Sequence, residues 1–300
     1  MGINPIIMLQ QQIMNGLTVG SLYALIAIGY TMVYGILRLI NFAHGDIFMM
    51  SMYFAFFGIT VFRVPWYVAL LLVVAATAIL GVVIERSAYR PLRKAPRISL
   101  LISSIGVSYL MVNLATVVFT GVPRQFPSVA IFQDVFTIGE VRLQWLSVWV
   151  PLITVLLVTL LLLLVQKTKT GMAMRAVSKD METAMLMGVH INRTISITFG
   201  IGSSLAAVGA VLWGLKYPQI QPYVGVMPGL KCFIAAVIGG IGNIRGAVIG
   251  GLLLGMMEIL LVYFLPALSG YRDAFAFVAL IAILLLKPTG LIGEKVAEKV

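Results

Sequence analysis

Charge is what this sequence has least of. Asp, Glu, Lys and Arg together make up 10% of its 300 residues, while hydrophobic residues make up 61%. A soluble domain carries about 25% charged residues. So few charges cannot cover a water-facing surface, so lipid must be the solvent for much of the chain. Cysteine is nearly missing too: Cys232 stands alone in an apolar stretch, which excludes an intrachain disulfide and reads as a small buried residue. Histidine is limited to His44 and His190, neither with partners at metal-ligand spacing, so no metal site is expected. No G-x4-G-K-[ST] phosphate loop occurs. Gly239–Gly246 is glycine-rich, but Arg245 takes the place of the third glycine in G-x-G-x-x-G. Neither an enzyme nor a bound cofactor is expected of this chain. The net charge of +11 does not point to nucleic acid, because the basic residues sit in loops between apolar runs. Residues 1–37 hold no Lys or Arg, so the first apolar run lacks a signal peptide's basic n-region and is expected to remain as a span. Ile6 stands where a myristoylation signal needs Ser or Thr.

What is present is a succession of apolar runs long enough to cross about 30 Å of hydrocarbon. They lie near 13–37, 46–62, 66–84, 98–119, 147–165, 194–213, 247–264 and 270–286. A shorter run, 231–242, is either a ninth crossing or a re-entrant half-helix. The expected fold is all-α: one polytopic membrane-spanning domain over residues 1–300 with eight or nine transmembrane helices, some broken or re-entrant. Glu85–Arg97 carries five basic residues and one acid, Gln166–Arg193 five and two, and the tail from Lys287 three lysines. The positive-inside bias places all three in the cytoplasm, the N-terminus outside and the C-terminus inside, which requires an odd number of crossings. Lys216 and Lys231, read as outside-loop cations, run against it. The outside segment of about 120–146 holds Asp134–Leu143, a hairpin pattern turning at Gly139 and Glu140. Trp66, Tyr67, Trp145 and Trp149 fall at span ends, where amphipathic rings favour the headgroup layer.

Small residues recur every four positions at Gly16, Gly20 and Ala24, at Gly202, Ala206, Ala210 and Gly214, and in two stripes, Gly242, Gly246, Gly250 and Ala247, Gly251, Gly255. Such stripes let helix backbones approach in lipid, within the chain or against a partner subunit.

The segment of about 166–193 is the most informative soluble one. Met172–Met187 reads as one amphipathic helix closed by Gly188, with Met174, Val177, Met181, Ala184 and Met185 on one face and Arg175, Lys179 and Glu182 on others. A methionine-rich face suits either the bilayer surface or a groove in a separate protein. Glu182-Thr-Ala184-Met-Leu-Met-Gly188 fits E-x-A-x3-G, which resembles the coupling loop of ABC importer permeases; the I-x-L-P that usually follows is absent, the corresponding stretch beginning at Thr198.

Longer stretches carry a closer resemblance. Asn15–Gly35, Ile40-Asn-Phe-Ala-His-Gly-Asp46, Glu85–Arg93, Gly171–Ala176, Gly239–Asn243 and Lys287-Pro-Thr-Gly-Leu291 are similar to LivH-type branched-chain amino-acid permeases, in order, over about residues 13–293. The resemblance implies a permease subunit of a bacterial inner-membrane importer for Leu, Ile and Val. It implies a second homologous permease, two cytoplasmic ATPase subunits that bind ATP and Mg, and a periplasmic binding protein. It also implies that Arg175, Lys179, Met181, Glu182, Ala184, Met185 and Gly188 meet the ATPase. Urea and short-amide permeases share much of the pattern.

For the substrate path the candidates are Asn41, His44, Asp46, Asn243 and Glu258. Asn41–Asp46 joins the first two spans, as either a broken helix beside a pathway or an interfacial turn with Asp46 capping the next helix. Gly239–Gly246 reads as its counterpart in the second half, and Glu258 lies in an apolar span and needs a partner. Tyr23, Thr31 and Asn113 are further polar positions. A lone ion-coupled secondary amino-acid transporter should carry several intramembrane acids and would have no use for the E-x-A-x3-G loop.

Overall fold

The computed structural model describes residues 5–293, which leaves Gly2, Lys295 and Lys299 outside it. Every long apolar run is helical: α1 (Pro5–Leu37), α2 (His44–Phe56, extended by a π-turn to Val61), α3 (Trp66–Ile84, extended by a π-turn to Tyr89), α4 (Arg97–Phe119), α6 (Trp145–Lys167), α9 (Ile191–Lys216), α11 (Ile244–Phe264) and α12 (Arg272–Leu286, entered through a 3-10 turn from Pro266). Among the described residues these are the eight helices long and apolar enough to cross a membrane. The shorter helices are α5 (Ala130–Gln133), α7 (Lys169–Lys179), α8 (Met181–Leu186) and α10 (Val226–Gly239). Strands are minor. β2 (Val135–Ile138) and β3 (Val141–Gln144) form the expected hairpin turning at Gly139 and Glu140, and β1 (Arg124–Gln125) pairs with β4 (Gln219–Ile220).

α1 has no polar stripe, and a helix apolar all round is buried all round. Accordingly, α1 and α9 form the centre and α3, α4, α6 and α12 the rim. The small-residue stripes pack within the chain. Gly16 and Gly20 face Met256 and Leu252, Gly251 and Gly255 face Ala24 and Gly20, Gly250 faces Ala235, and Gly29 faces Gly202. These pairs run antiparallel, so α9 and α11 both start on the second face, where α1 ends, and finish on the first, where α1 begins. The chain must therefore return between Lys216 and Ile244. It does so through an extended segment, 217–225, and α10. The described residues thus pass through nine times, and Pro5 and Gly293 lie on opposite faces, as an odd count requires.

Two passages are broken. After α1 the chain turns back at Arg38 (φ +50°), runs extended, and begins α2 inside the bundle, with His44 against Gly29 and Ile26. Those residues lie 8–11 positions before the end of α1, about 12–16 Å inside at 1.5 Å per residue. After α9, 217–225 re-enters and α10 begins against the first turn of α2, with Gly225 and Gly229 meeting Gly45. A long helix, an extended break, an interior helix start, a long return helix and a rim helix occur in α1–α4 and again, upside down, in α9–α12. α1 packs on α11 as α9 packs on α3, and α4 lies on α2 as α12 lies on α10. This is the inverted-repeat plan of many transporters. The counterpart of residues 38–43 is therefore 217–225 and not Gly239–Gly246, which forms the α10–α11 turn at the second face.

Candidate functional site

Where the two interior helix starts meet, the backbones touch. A Cβ on Gly45 would lie 3.2 Å from the Cα of Gly229, and closer still to the carbonyl oxygen of Gly225. Beside this contact is a cavity of about 110 Å³ bordered by Tyr30, Phe42, Asp46, Ser108, Leu230 and Phe233. Asn41, His44 and Asp46 are all buried here, 1–2% exposed, so this stretch is an interior break and not an interfacial turn. Asn41 Oδ1 accepts from the Tyr89 hydroxyl at 2.7 Å, and His44 Nε2 sits 3.3 Å from the Ile26 carbonyl. Asp46 lies in the first turn of α2, where the helix dipole favours an acid, but makes no side-chain cap; the N-cap position is Ala43. The Tyr30 hydroxyl and the Asn41 amide nitrogen are buried without a partner among the described residues. Unpaired polar groups at this depth are rare unless water or substrate reaches them.

Nearer the first face, Glu258 on α11 is 2% exposed and fully engaged. It accepts from the Tyr23 hydroxyl at 2.7 Å, pairs with Lys231 of α10, and lies 3.8 Å from Arg272 Nε. Lys231 also pairs with Asp273 at 2.6 Å. Lys231 is thus an interior cation and not an outside-loop one, which removes one of the two exceptions to the charge bias. Lys231, Arg272 and Asp273 line a cavity of about 320 Å³ together with Tyr23, Trp213, Tyr217, Gln221 and Tyr223.

The second face carries the mirror arrangement. Glu85, at the end of α3, is fully buried, accepts from Ser196 of α9 at 2.5 Å and pairs with Arg93 and Arg90 in the α3–α4 loop. Arg93 also donates to the Asn192 side chain at 2.8 Å. Burial lowers the pKa of Arg93 from its ordinary value, and the adjacent Glu85 opposes that shift.

The segment 166–193 projects from the second face as two helices, not one. Thr168 caps α7, accepting from Gly171 N–H at 3.0 Å. Asp180 is extended and caps α8, accepting from Glu182 and Thr183 N–H at 3.0 and 3.1 Å. α8 closes with Gly188 at φ +82°, its N–H to Met185 and that of Val189 to Ala184, a Schellman motif that only glycine enters without strain. E-x-A-x3-G thus acquires a local reason: an acid in the first turn, a small buried residue, and a left-handed stop. The expected apolar face divides. Met174, Val177 and Ala184 are buried and Met181 half-buried against the protein's own helices, leaving Met185 and the neighbouring Leu186 and Met187 outward, 61%, 84% and 80% exposed. Arg175, Lys179, Glu182 and Gly188 are also exposed.

Asn243 departs most from expectation. It caps α11, accepting from Arg245 and Gly246 N–H, and donates to the Ile292 carbonyl at 3.0 Å, so it holds the second-face turn, away from the two interior helix starts. Asn113 bonds its own helix at Tyr109, and Thr31 is buried. Sequence reasoning missed Glu85, Tyr89, Ser196, Arg272 and Asp273 as members of interior clusters. The available signal was arithmetic: Glu258 required a cation, and Lys231 and Arg272 were the two that fall inside apolar runs.

The sequence matches the family described as branched-chain amino acid transport system / permease component over residues 12–284. It is 42% identical to the high-affinity branched-chain amino acid transport system permease protein BraD of Pseudomonas aeruginosa, over 97% of both chains. It is 40% identical to the corresponding LivH of Escherichia coli K12, again over 97% of both. A probable LivH of Methanocaldococcus jannaschii is 28% identical over 95% of this chain and 93% of that one. Since the match runs from α1 into α12, through both interior helix starts and the 166–193 segment, the chain belongs to the branched-chain amino acid transport permease family.

Proposed function

We propose that this chain is one of two related membrane subunits of an ABC importer that carries Leu, Ile and Val across the bacterial inner membrane. Two cytoplasmic ATPase subunits hold ATP and Mg, and a periplasmic protein delivers the substrate. The observation that carries this reading is the capped, outward tip of α8. Three large apolar side chains, Met185, Leu186 and Met187, stand in water on a rigid turn, which suits insertion into a cleft of another protein. The second face is then cytoplasmic, in keeping with the basic loops 85–97 and 166–193 that both lie there, and the N-terminus is periplasmic. α7 leans on α1 and α9, so a push on α8 reaches the central helices. Relatives named for branched-chain amino acids favour that cargo over urea or amides. A secondary transporter is disfavoured because its best acid, Glu258, is already ion-paired.

The test is purification of the tagged chain from its native membrane, followed by reconstitution with whatever accompanies it. ATPases and a second permease should co-purify, and leucine uptake should need ATP and the binding protein. Uptake by this chain alone, without ATP, would overturn the reading.

A further inference from the structure

Four charged side chains meet beside the first-face cavity, and they are not equally committed. Lys231 lines its inner end, 7% exposed at the side chain, and Glu258, 2% exposed, lies behind it, held by Tyr23 and Lys231 together. Arg272 and Asp273 form its rim, 44% and 42% exposed. Asp273 is held through Lys231, and the side chain of Arg272 makes no hydrogen bond among the described residues, its nearest carboxylate, Glu258, lying at 3.8 Å. The rim therefore offers an accessible carboxylate and an accessible guanidinium, on adjacent residues of α12, to one cavity. Tyr23, Trp213 and Tyr217 add aromatic surface to the lining. The volume of about 320 Å³ falls within the roughly 300–1,000 Å³ of small-molecule pockets.

A small α-amino acid matches each part. Its ammonium and carboxylate sit on one carbon and need an anion and a cation side by side. Its aliphatic side chain needs an apolar wall. A simple anion or cation would use half of the rim, and an uncharged solute none of it. We infer that this cavity is a first-face receiving site for an aliphatic α-amino acid zwitterion, with Arg272 pairing the α-carboxylate, Asp273 pairing the ammonium in exchange for Lys231, and the aromatic wall taking the side chain. Lys231 released from Asp273 remains paired with Glu258, so the exchange strands no buried charge. The same arrangement suits transit and not storage: both rim groups are partly in water, where ion pairs are weak. This inference rests on the reading of the chain as an amino-acid permease.

Tyr223 lines the cavity and is 61% exposed, and the chain's own cysteine, Cys232, is fully buried. The test uses the complete purified transporter in nanodiscs, without binding protein, carrying Tyr223→Cys and labelled by a methanethiosulfonate reagent; the transporter lacking that substitution supplies the background. Leucine at millimolar concentration should slow labelling at least threefold. Isocaproate, which lacks the ammonium, and isoamylamine, which lacks the carboxylate, should not. Adding Asp273→Asn should raise the leucine concentration needed at least tenfold while leaving the rate without leucine unchanged. Absence of protection by leucine, or equal protection by either analogue, overturns the site. ATP-driven leucine uptake, measured on the same transporter without the cysteine, tests the transport reading separately: uptake without protection rejects the cavity and keeps the permease, while absence of uptake rejects the permease reading.

Discussion

The halves α1–α4 and α9–α12 share one plan and each buries one glutamate, but the surroundings differ. Glu85 sits at the end of its helix, and its cations lie on a basic loop that reaches water, Arg93 and Arg90 being 11% and 35% exposed. Glu258 sits within its helix, and its main cation, Lys231, is on another buried helix. The inner cluster joins a loop to α9 through Ser196, close to α7 and α8. The outer cluster joins α1, α10 and α11 and borders a cavity. The inverted repeat therefore supplies two comparable clusters, one at the second face near α7 and α8 and one at the first face beside the cavity. An importer needs its two ends to respond in opposite senses.

Removing one acid at a time should separate the two clusters. Glu258→Ala leaves Lys231 buried with only the half-exposed Asp273, and losing a partner from a buried pair costs about 3–5 kcal/mol. Glu85→Ala should cost less, about 1–3 kcal/mol, because both arginines can turn to water. Thermal unfolding of the purified protein in detergent ranks the two; equal losses would mean the clusters are energetically alike. On the coupling side, Leu186→Asp with Met187→Asp should abolish co-purification of the ATPases while leaving membrane insertion and unfolding temperature near those of the parent; retained ATPase binding would move the contact elsewhere. Tyr89→Phe and Tyr23→Phe form a milder pair. Each deletes one buried hydroxyl, worth about 1–2 kcal/mol. Tyr89→Phe should be the worse for uptake, since Asn41 loses its partner at the interior break, whereas Glu258 keeps Lys231. The smallest effect is expected for Asn243→Ala, a lost N-cap of about 1 kcal/mol with leucine uptake nearly intact. A severe uptake defect there would restore Asn243 to the pathway.

Much of this was legible because lipid imposes simple rules. All eight long helices, the hairpin at Gly139 and Glu140, the burial of Cys232 and the odd number of passages follow from run length and charge position. The candidate site was legible only in part. Asn41, His44 and Asp46 are conspicuous in sequence as polar residues between two spans, and the structure buries all three at the interior break. Asn243 turned out to cap α11, because Asn and Gly mark a helix cap and a broken helix equally well. The single amphipathic helix of 172–187 became two because Asp180 offers its carboxylate to two backbone N–H groups, a local choice that apolar periodicity does not register.

By itself the sequence determined which segments are helical, where lipid surrounds them and which loops carry the positive charge, since these depend on near neighbours and on solvent. Tertiary structure alone decided that 217–225 mirrors 38–43, that Lys231 answers Glu258 across 27 positions, and that Ser196 answers Glu85 across 111. Those pairings depend on which helices cross and at what depth, and an almost uniformly apolar sequence gives each helix little to distinguish one face from another. Close glycine contacts such as Gly45 against Gly225 and Gly229, and a few buried charges that cannot remain unpaired, made the selection.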